Sequence, residues 1–418
     1  MIRPLTPYDK FYISNNGYIQ LAMHCKKESY VEPILNNLKK MVIGTQLRIK
    51  GDNLIMEKQD VPTYRLPDTI STPYEATNYI VDNFTTKPSI ALATIAANKN
   101  IIAVNSHHLC FDGGIALEIF NALRDNIEFN PPQKLESIYE VFPTEIEQAK
   151  HWSMIDSINP ELTRVRPKDK IGLFSKNSKS ITTTFSEAKN LQCYDKKTNK
   201  VHMLTDSLYA QIILTSSAFE GAFKAAGVKT MINMRPFIKN RRNLWENGVA
   251  LSKITVNAND ATLDTTVGQL MDMLRADFNK SLKEGKHFGY LKKFQEKPPK
   301  NKRIIPGTFF VLSNVGQFVL GGPFDDVHMR TSGNASDYFP SISFLHFAKI
   351  GENENRVFSN FSYHSSVMTK READLLLSSI HYGLENISMN ISMAEAIDKI
   401  KDFQDDFVYN KYDEYLIK

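Results

Sequence analysis

Cysteine is scarce in this chain, which has only three in 418 residues, namely Cys25, Cys110 and Cys193. Because the number is odd and the positions are far apart, the sequence predicts neither a disulfide framework nor a zinc cluster. We therefore expect no metal site. Such sparing use of cysteine is typical of a reducing compartment, so we expect a cytoplasmic protein.

Long apolar runs and a strong charge of one sign are also lacking. No uninterrupted apolar stretch approaches the roughly 18 residues that a membrane span needs, and the N-terminal segment has no signal-peptide layout. The formal net charge of +5 is mild for this length, so we expect no nucleic-acid partner. An apolar fraction of 42% and a charged fraction of 23% are ordinary for a globular protein.

The length suggests two domains, because single cores stop growing beyond roughly 250–300 residues. Residues 166–190 are polar, rich in Lys and Ser and weakly periodic, so we predict a linker there. It would separate a domain of residues 1–165 from one of residues 191–418. Helix-like and strand-like patterns occur in both halves, which predicts an α/β (α+β) fold.

Capping and stop signals locate several of the helices. Thr6 should cap a first helix, and Thr369 with Glu372 forms a capping box for a helix over 369–387. A strong helix is expected over 205–227, capped by Thr205 or Asp206 and stopped by Gly227. Residues 228–236 and 307–318 contain strands.

The segment IIAVNSHHLCFDGGIALEIF, residues 101–120, is the most informative in the chain. It places His107, His108, Asp112, Gly113 and Gly114 between a strand-like run and a helix expected to begin near the aspartate. A structural histidine is one interpretation, because buried histidines commonly find hydrogen-bond partners. A metal site is disfavoured, because one helix face would supply only two ligands. The H-x-x-x-D-G spacing at a strand-to-helix junction is rare by chance and favours catalysis.

HHLCFDG resembles the HHxxxDG signature of the acyltransferases with the chloramphenicol-acetyltransferase-like fold. That superfamily includes alcohol O-acetyltransferases, plant-type acyl-CoA acyltransferases, wax-ester synthases and condensation domains of peptide synthetases. FVLSNVGQF (310–318) is similar to the SNvG segment of the alcohol acetyltransferases, and MINMRP (231–236) to the strand whose arginine meets the aspartate of the signature. The resemblance covers roughly residues 1–390. The chain lacks the DFGWG motif, so it does not resemble the plant branch.

The resemblance implies two chloramphenicol-acetyltransferase-like domains, each a mixed sheet flanked by helices, with a channel between them. It implies an acyl-CoA-dependent O-acyltransferase that carries no bound cofactor, takes acyl-CoA as co-substrate and acetylates a small alcohol as a monomer. One alternative is an N-acyltransferase or free-standing condensation enzyme, with an amine acceptor or a carrier-bound donor. A second is wax-ester or diacylglycerol synthesis, which would need a long apolar acyl tunnel. A third is a non-catalytic binding relative.

The resemblance also assigns roles to the residues of the signature. His108 would be the general base, because a neutral imidazole with a pKa near ~6.5 can accept the proton of an alcohol at neutral pH. Asp112 would be structural and pair with Arg235, although a surface ion pair or a substrate contact is open for the arginine. His107 would orient the turn. Gly113 and Gly114 would allow a sharp turn through positive φ and close backbone approach.

Two further segments are open to more than one interpretation. Ser313 and Asn314, followed by Gly316, would supply an oxyanion donor or would form only a structural turn. Residues 280–303 hold nine Lys or Arg against two Glu, which would attract the phosphates of CoA or form an ordinary solvated loop.

Overall fold

The computed structural model describes residues 1–57, 63–127, 134–150, 159–169, 179–238, 250–295, 305–333, 342–351 and 356–407. Helices and strands alternate through both halves of the chain, as the sequence predicts. The helices are α1 (Pro7–Asn15), α2 (Val31–Met41), α3 (Pro73–Asn83), α4 (Gly113–Arg124), α5 (Ile138–Val141), α6 (Pro143–Gln148), α7 (Leu204–Glu220), α8 (Val267–Lys283), α9 (Lys286–Lys292), α10 (Lys370–Asn386) and α11 (Met393–Asp406).

The strands are shorter and more numerous than the helices. They are β1 (Ile2–Pro4), β2 (Gly17–Cys25), β3 (Leu47–Lys50), β4 (Asn53–Met56), β5 (Thr63–Arg65), β6 (Ala93–Ala97), β7 (Ile101–His107), β8 (Arg164–Val165), β9 (Lys179–Glu187), β10 (Tyr194–Asp195), β11 (Lys200–Val201), β12 (Gly227–Asn233), β13 (Leu251–Asn257), β14 (Thr308–Phe318), β15 (Phe324–Gly333), β16 (Ile342–Ile350) and β17 (Arg356–His364).

The two largest of the four sheets in the described residues are mixed; the other two, β1-β4-β3 and β10-β11, are small and antiparallel. The first has the order β15-β2-β7-β6-β5, in which only the β5–β6 pair is parallel. The second has the order β13-β12-β14-β16-β17-β9, with β8 added beside β14. Apolar side chains of α2 and α4 pack on one face of the first sheet, and those of α7, α8, α10 and α11 pack on the second.

The first sheet is completed by a strand from the second half of the chain. β15 pairs antiparallel with β2 along its whole length, from Phe324 opposite Cys25 to Gly333 opposite Gly17. β15 also reaches the second sheet, because Asn360 of β17 donates its amide to the backbone carbonyl of Met329 at 2.7 Å. The sequence does not anticipate this exchange, and the division at residues 166–190 stays a prediction.

Part of the segment that the sequence predicts as a linker is a strand. β9 forms the edge of the second sheet and pairs antiparallel with β17, from Glu187 opposite Arg356 to Lys179 opposite His364. Its core, SITTTF, is rich in β-branched residues, which favour strands. The polar composition does not indicate this strand, because an edge strand with one face exposed to solvent needs few apolar residues. Residues 170–178 lie outside the described structure.

Helix α7 differs from its prediction at both ends. It begins after Met203 and ends at Glu220, where Gly221 adopts a left-handed φ of 70°. Asp206 lies inside the helix and accepts a hydrogen bond from Nε of Arg275 on α8 at 2.8 Å, so it does not cap. Gly227 instead begins β12, where a Cβ would come within 2.2 Å of the carbonyl oxygen of Glu161.

The capping predictions for α1 and α10 are confirmed. The Thr6 and Thr369 side chains each accept the backbone N–H three residues on, and the acidic side chain at that position returns the bond. α4 begins at Gly113, next to Asp112 as expected, and the Asp112 side chain is its N-cap. No helix in the described residues is both long enough and apolar enough to cross a membrane.

Candidate functional site

The motif lies where a buried strand meets a helix. β7 is flanked by β2 and β6, and every residue of it is buried. Just beyond it, the backbone N–H of His108 donates to the carbonyl of Gly17 at 2.7 Å, and that of Cys110 donates back to His107 at 3.1 Å. The turn is therefore fixed to β2 and folded back onto the end of β7.

Asp112 and Arg235 form a buried, two-point ion pair between the two halves of the chain. Nη1 and Nη2 of the arginine donate to Oδ1 and Oδ2 of the aspartate, each at 2.9 Å. The side chains are 2% exposed for Arg235 and 0% for Asp112. This burial rules out the surface ion pair that the sequence left open for Arg235.

The remaining lone pairs of Asp112 are also used within the protein. Its Oδ1 accepts from the backbone N–H of Ile115 at 2.9 Å, and its Oδ2 from that of Ala250 at 3.1 Å. Burial on its own would raise the pKa of the Asp112 carboxyl, but the Arg235 guanidinium and these N–H donors hold it below its ordinary value. Both oxygens of the carboxylate are thus engaged within the protein, where they join the turn to Arg235 and to the backbone of Ala250.

The two glycines after Asp112 serve close approach. A Cβ on Gly114 would lie 2.8 Å from Nη1 of Arg235, and one on Gly113 would lie 3.2 Å from a methyl of Val315. Neither glycine has a positive φ, contrary to the expectation for the turn, because both already belong to the first turn of α4. A side chain at Gly114 would push the arginine away from its partner.

His108 is half-buried and packs against an aromatic side chain of α1. The ring centroids of Tyr12 and His108 lie 4.7 Å apart. The hydroxyl oxygens of Tyr12 and Tyr8 are 3.1 Å apart, and Tyr8 donates to the carbonyl of Leu251 at 2.6 Å. Because the carbonyl can only accept, the hydroxyl of Tyr8 donates its hydrogen bond there. The hydroxyl of Tyr12 must therefore donate to the oxygen of Tyr8.

Burial raises the pKa of both phenols, Tyr8 and Tyr12, above the ordinary value. Both hydroxyls therefore keep their protons, and the directed chain of hydrogen bonds fixes the ring beside His108. Sequence reasoning missed these two residues. Their spacing of four in TPYDKFY, which places them on one helix face, was the available signal.

His107 lies in a different environment from His108. It is 0% exposed, its ring meets that of Tyr18 edge-on with centroids 5.0 Å apart, and its Nδ1 accepts from the backbone N–H of Leu109 at 3.1 Å. Burial, and then the neighbouring charge of His108, lower the pKa of His107 to about 4. It is therefore neutral at pH 7 and shapes the turn from inside.

The cysteines lie inside the protein as free thiols. Burial raises the pKa of Cys110 to about 12, so it stays a thiol although it belongs to the motif. Within the described residues, no three His, Cys, Asp or Glu side chains come together as a metal ion would require.

The SNVG segment forms a bulge in β14. The register of β14 against β16 shifts between Asn314 and Gly316, and the backbone N–H of Gly316 donates to Oδ1 of Asn314 at 2.8 Å. Gly316 has a φ of 107°. Nδ2 of Asn314 donates to the hydroxyl of Thr205 on α7 at 2.9 Å.

The contacts of this bulge favour the structural interpretation for Asn314 and Gly316. Asn314 is exposed, and both ends of its amide are engaged by its own chain. Val315, between them, packs against Gly113. Ser313 is half-buried and stays a candidate oxyanion donor.

Two cavities lie at different levels along the strands that support the motif. One, of about 470 Å³, is lined by Lys200, Lys349 and Arg356, together with residues at the end of β14. The other, of about 920 Å³, is lined by Lys229 and Lys253, among others. Along β12 and β14, the residues that contact the start of α4, Asn233 and Val315, lie between the residues that line one cavity and those that line the other. A continuous channel joining the cavities stays a prediction.

No family model matches the chain, and no curated protein matches it in sequence. Solved structures match along nearly its whole length. Polyketide synthase associated protein 5 from Mycobacterium tuberculosis aligns with a TM-score of 0.62 at 13% identity, covering 92% of this chain and 97% of that one.

Two modules of peptide synthetases are similar to the same extent. A mutant starter condensation domain of rhizomide synthetase, in complex with C8-CoA, has a TM-score of 0.61 at 11% identity and covers 94% of this chain and 97% of its own. The epimerization domain from the third module of tyrocidine synthetase B has a TM-score of 0.61 at 14% identity, covering 96% and 97%. At these identities the likeness shows the fold alone: two chloramphenicol-acetyltransferase-like lobes, each a mixed sheet flanked by helices.

Proposed function

We propose that the protein transfers an acyl group, most simply acetyl, from a CoA thioester to a hydroxyl acceptor, with His108 as general base. The observation that carries this proposal is the contrast within one turn. Its far end is held rigidly by Asp112 and Arg235, while the His108 imidazole at its near end is half-open. A base works best when its position is fixed and its ring is accessible.

The reaction needs one proton to move twice. A neutral His108 takes the proton of the hydroxyl as the oxygen attacks the thioester carbonyl, forming a C–O bond and a tetrahedral oxyanion. The carbonyl then reforms, the C–S bond breaks, and the imidazolium returns the proton to the departing thiolate. Asp112 cannot serve as the base, because its oxygens are occupied by Arg235 and by backbone N–H groups. Ser313 is our candidate for an oxyanion donor.

The choice of a CoA donor has two supports. The cavity of about 470 Å³ is lined by Lys200 and Lys349, and by Arg356, which pairs with Asp326; cationic side chains are suited to phosphates. A structural neighbour is in complex with C8-CoA, although that ligand belongs to the neighbour.

The lysine-rich segment 280–303 gives little support for a CoA donor. Residues 296–303 lie outside the described structure. Within the described part, Lys286 pairs with Glu284 at 3.4 Å, and Nζ of Lys292 donates to the carbonyls of Glu147 and Ala149. These two lysines are engaged by the protein itself.

A second candidate is the formation of an amide or the use of a carrier-bound donor, with the same base. It is favoured by the structural neighbours, which include a condensation domain and an epimerization domain. A non-catalytic binding role is the third candidate. The complete set of His108, Asp112 and Arg235, in working geometry, weighs against it.

The test is thiol release from acetyl-CoA by the purified protein with a panel of alcohols and amines. We expect release that depends on an alcohol and falls by about 10²- to 10⁴-fold in His108→Ala. His24→Ala is the matched control, since His24 lies on β2, pairs with the exposed Asp325 and belongs to no part of the site.

Each outcome decides between the candidates. Faster release with amines would move the assignment to amide formation. Release that persists unchanged in His108→Ala would disprove the base. If no acyl-CoA gives release with any acceptor while the melting curve is that of a folded protein, a carrier-bound donor or a binding role takes over.

A further inference from the structure

A narrow cavity lies beside the HHLCFDG turn. Its volume is about 20 Å³, roughly the room that one water molecule takes. Leu109 and Cys110, which follow His108 in the chain, both line it. Tyr12 lines it too, and the ring of Tyr12 lies 4.7 Å from that of His108, centroid to centroid. One end of this cavity, which we call the slot, is therefore next to the proposed base.

The sides of the slot are apolar. Each of the side chains that form them is at most 9% exposed, and all belong to one hydrophobic cluster together with Leu109 and Tyr12. Such walls stabilise alkyl carbons, because burying these carbons removes apolar surface from water. The side chains are those of Ile43, Leu47, Leu54, Leu135 and Ile138.

A buried ion pair also lines the slot. Nη1 and Nη2 of Arg3 donate to the two carboxylate oxygens of Asp9, at 2.6 and 3.0 Å, and the two side chains are 12% and 8% exposed. Asp9 further accepts the backbone N–H of Thr6 at 2.7 Å. An alkyl chain that displaced either side chain would leave a buried charge without its partner, which is costly.

The spacing along α1 gives the length of the slot. Asp9 and Tyr12 both line it, and three residues of an α-helix span about 4.5 Å. The ion pair is thus about one helical turn away from the ring that contacts His108. A methyl group fits such a space, whereas a longer alkyl chain would press on Arg3 and Asp9.

Other polar groups of the lining are engaged by the protein itself. The hydroxyl of Tyr8 donates to the carbonyl of Leu251 at 2.6 Å, and the thiol of Cys110 lies 3.5 Å from the carbonyl oxygen of His107. The Ser137 side chain caps α5. The contact that the slot leaves for a ligand is therefore mainly apolar.

We propose that the slot receives the alkyl part of the donor acyl group and limits that group to acetyl. A thioester whose carbonyl lies beside His108 would direct its methyl along the Tyr12 ring into the slot, and longer chains would meet the Arg3–Asp9 pair. The inference rests on the proposed function, and it identifies the residues that set the acyl length of the donor.

The experiment compares CoA thioesters that differ only in acyl length. Acetyl-, propanoyl-, butanoyl- and hexanoyl-CoA are assayed with one saturating alcohol. The wild type should prefer acetyl-CoA over butanoyl-CoA by at least about tenfold in kcat/KM, because methylenes that do not fit a tight apolar pocket carry discrimination of that size. Leu54→Ala should raise the butanoyl-to-acetyl ratio of kcat/KM by about tenfold, and Ile138→Val should raise it less, because both widen the slot.

Leu66→Ala is the matched control. Leu66 is as deeply buried as Leu54, but it belongs to a separate cluster that packs against α3, so the same truncation should keep the wild-type ratio. Urea melts show whether each variant is folded. Ile138→Val removes a single methyl and stays usable if Leu54→Ala does not fold. A general loss of structure lowers both kcat/KM values together and leaves their ratio unchanged.

Several results would overturn the proposal. One is equal use of all four thioesters by the wild type, with thiol release that still depends on the alcohol and on His108. Another is a wild-type ratio in folded Leu54→Ala and Ile138→Val. A third is a ratio that rises as far in Leu66→Ala as in Leu54→Ala, which would assign the change to general loosening.

Failure of the proposed function is recognised separately, as no thiol release with any acyl-CoA. In that event calorimetric titration with the same thioesters decides the matter. Acetyl-CoA that binds the wild type about tenfold more tightly than butanoyl-CoA, with the difference removed in Leu54→Ala, supports the slot. Binding that ignores acyl length, or no binding, rejects it.

Discussion

The two ends of the HHLCFDG turn are built in opposite ways. At one end, Asp112 is sealed, ionised and held by four hydrogen bonds from Arg235 and the backbone. At the other end, four residues earlier, His108 is half-open and touches the ring of Tyr12. The comparison teaches that the contacts that stabilise the turn differ from those that position the proposed base. A substitution should therefore be able to remove the stability or the activity without removing the other.

The largest effect should come from breaking the sealed end. Asp112→Ala or Arg235→Ala leaves a buried charge without its partner, which should lower the free energy of unfolding by about 3–5 kcal/mol. Urea denaturation measures it. His108→Ala should cost far less stability while losing the activity. A loss below about 1 kcal/mol for both ion-pair variants would mean that the sealed end is not the support.

A smaller effect should follow from crowding the ion pair. Gly114→Ala puts a methyl against Nη1 of Arg235, which cannot move without leaving Asp112, so we expect a loss of about 1–3 kcal/mol. Gly113→Ala is the matched control, because its neighbour is a methyl of Val315 at 3.2 Å. Equal melting midpoints for the two variants would contradict this account.

Acid should destabilise the protein through the buried His107. The pKa of His107 falls from an ordinary ~6.5 in the unfolded chain to about 4 in the folded one. Between these values only the unfolded chain binds the proton, so the free energy of unfolding decreases as the pH falls from about 6.5 to 4. His107→Gln should reduce this slope by roughly 1 kcal/mol per pH unit. Urea melts at several pH values measure the slope, and an unchanged slope would place His107 elsewhere.

The smallest effect concerns the ring beside the open end. Tyr12→Phe keeps the ring against His108 and removes the hydrogen bond to Tyr8, so we expect a loss of about 1 kcal/mol in stability and nearly normal turnover. Tyr12→Leu removes the ring and should lower kcat and shift the pH–rate profile. The positioning role would be refuted if the Phe variant lost as much activity as the Leu variant.

The sequence predicts the supported end of the site well. The strand and the start of α4 near Asp112 are local features that turn and cap chemistry decide, and the partnership with Arg235 comes from the resemblance. The expected positive φ at Gly113 and Gly114 is wrong. The close approach expected there is present, to Arg235 at Gly114 and to Val315 at Gly113, although no local pattern identifies these long-range partners.

Other features depend on tertiary contacts in the same way. The pattern of Thr205 and Asp206 predicts helix caps, but the Asp206 carboxylate accepts a hydrogen bond from Arg275 on α8 instead. The polar composition of the segment before residue 190 predicts a linker, whereas its pairing with β17 makes residues 179–187 a strand. The register of β12 and β13 brings Lys229 and Lys253 together, and tertiary packing places the ring of Tyr290 on α9 beside both of them.

The position of β15 affects how the chain is made. Strand β2 leaves the ribosome early, yet its partner at residues 324–333 follows roughly 300 residues later. At about 5–20 residues per second, one edge of β2 waits roughly 15–60 s for its neighbour. During that interval an apolar strand edge is open to other chains. The chloramphenicol-acetyltransferase-like arrangement thus leaves the first sheet of this protein open at one edge until most of the chain has been made.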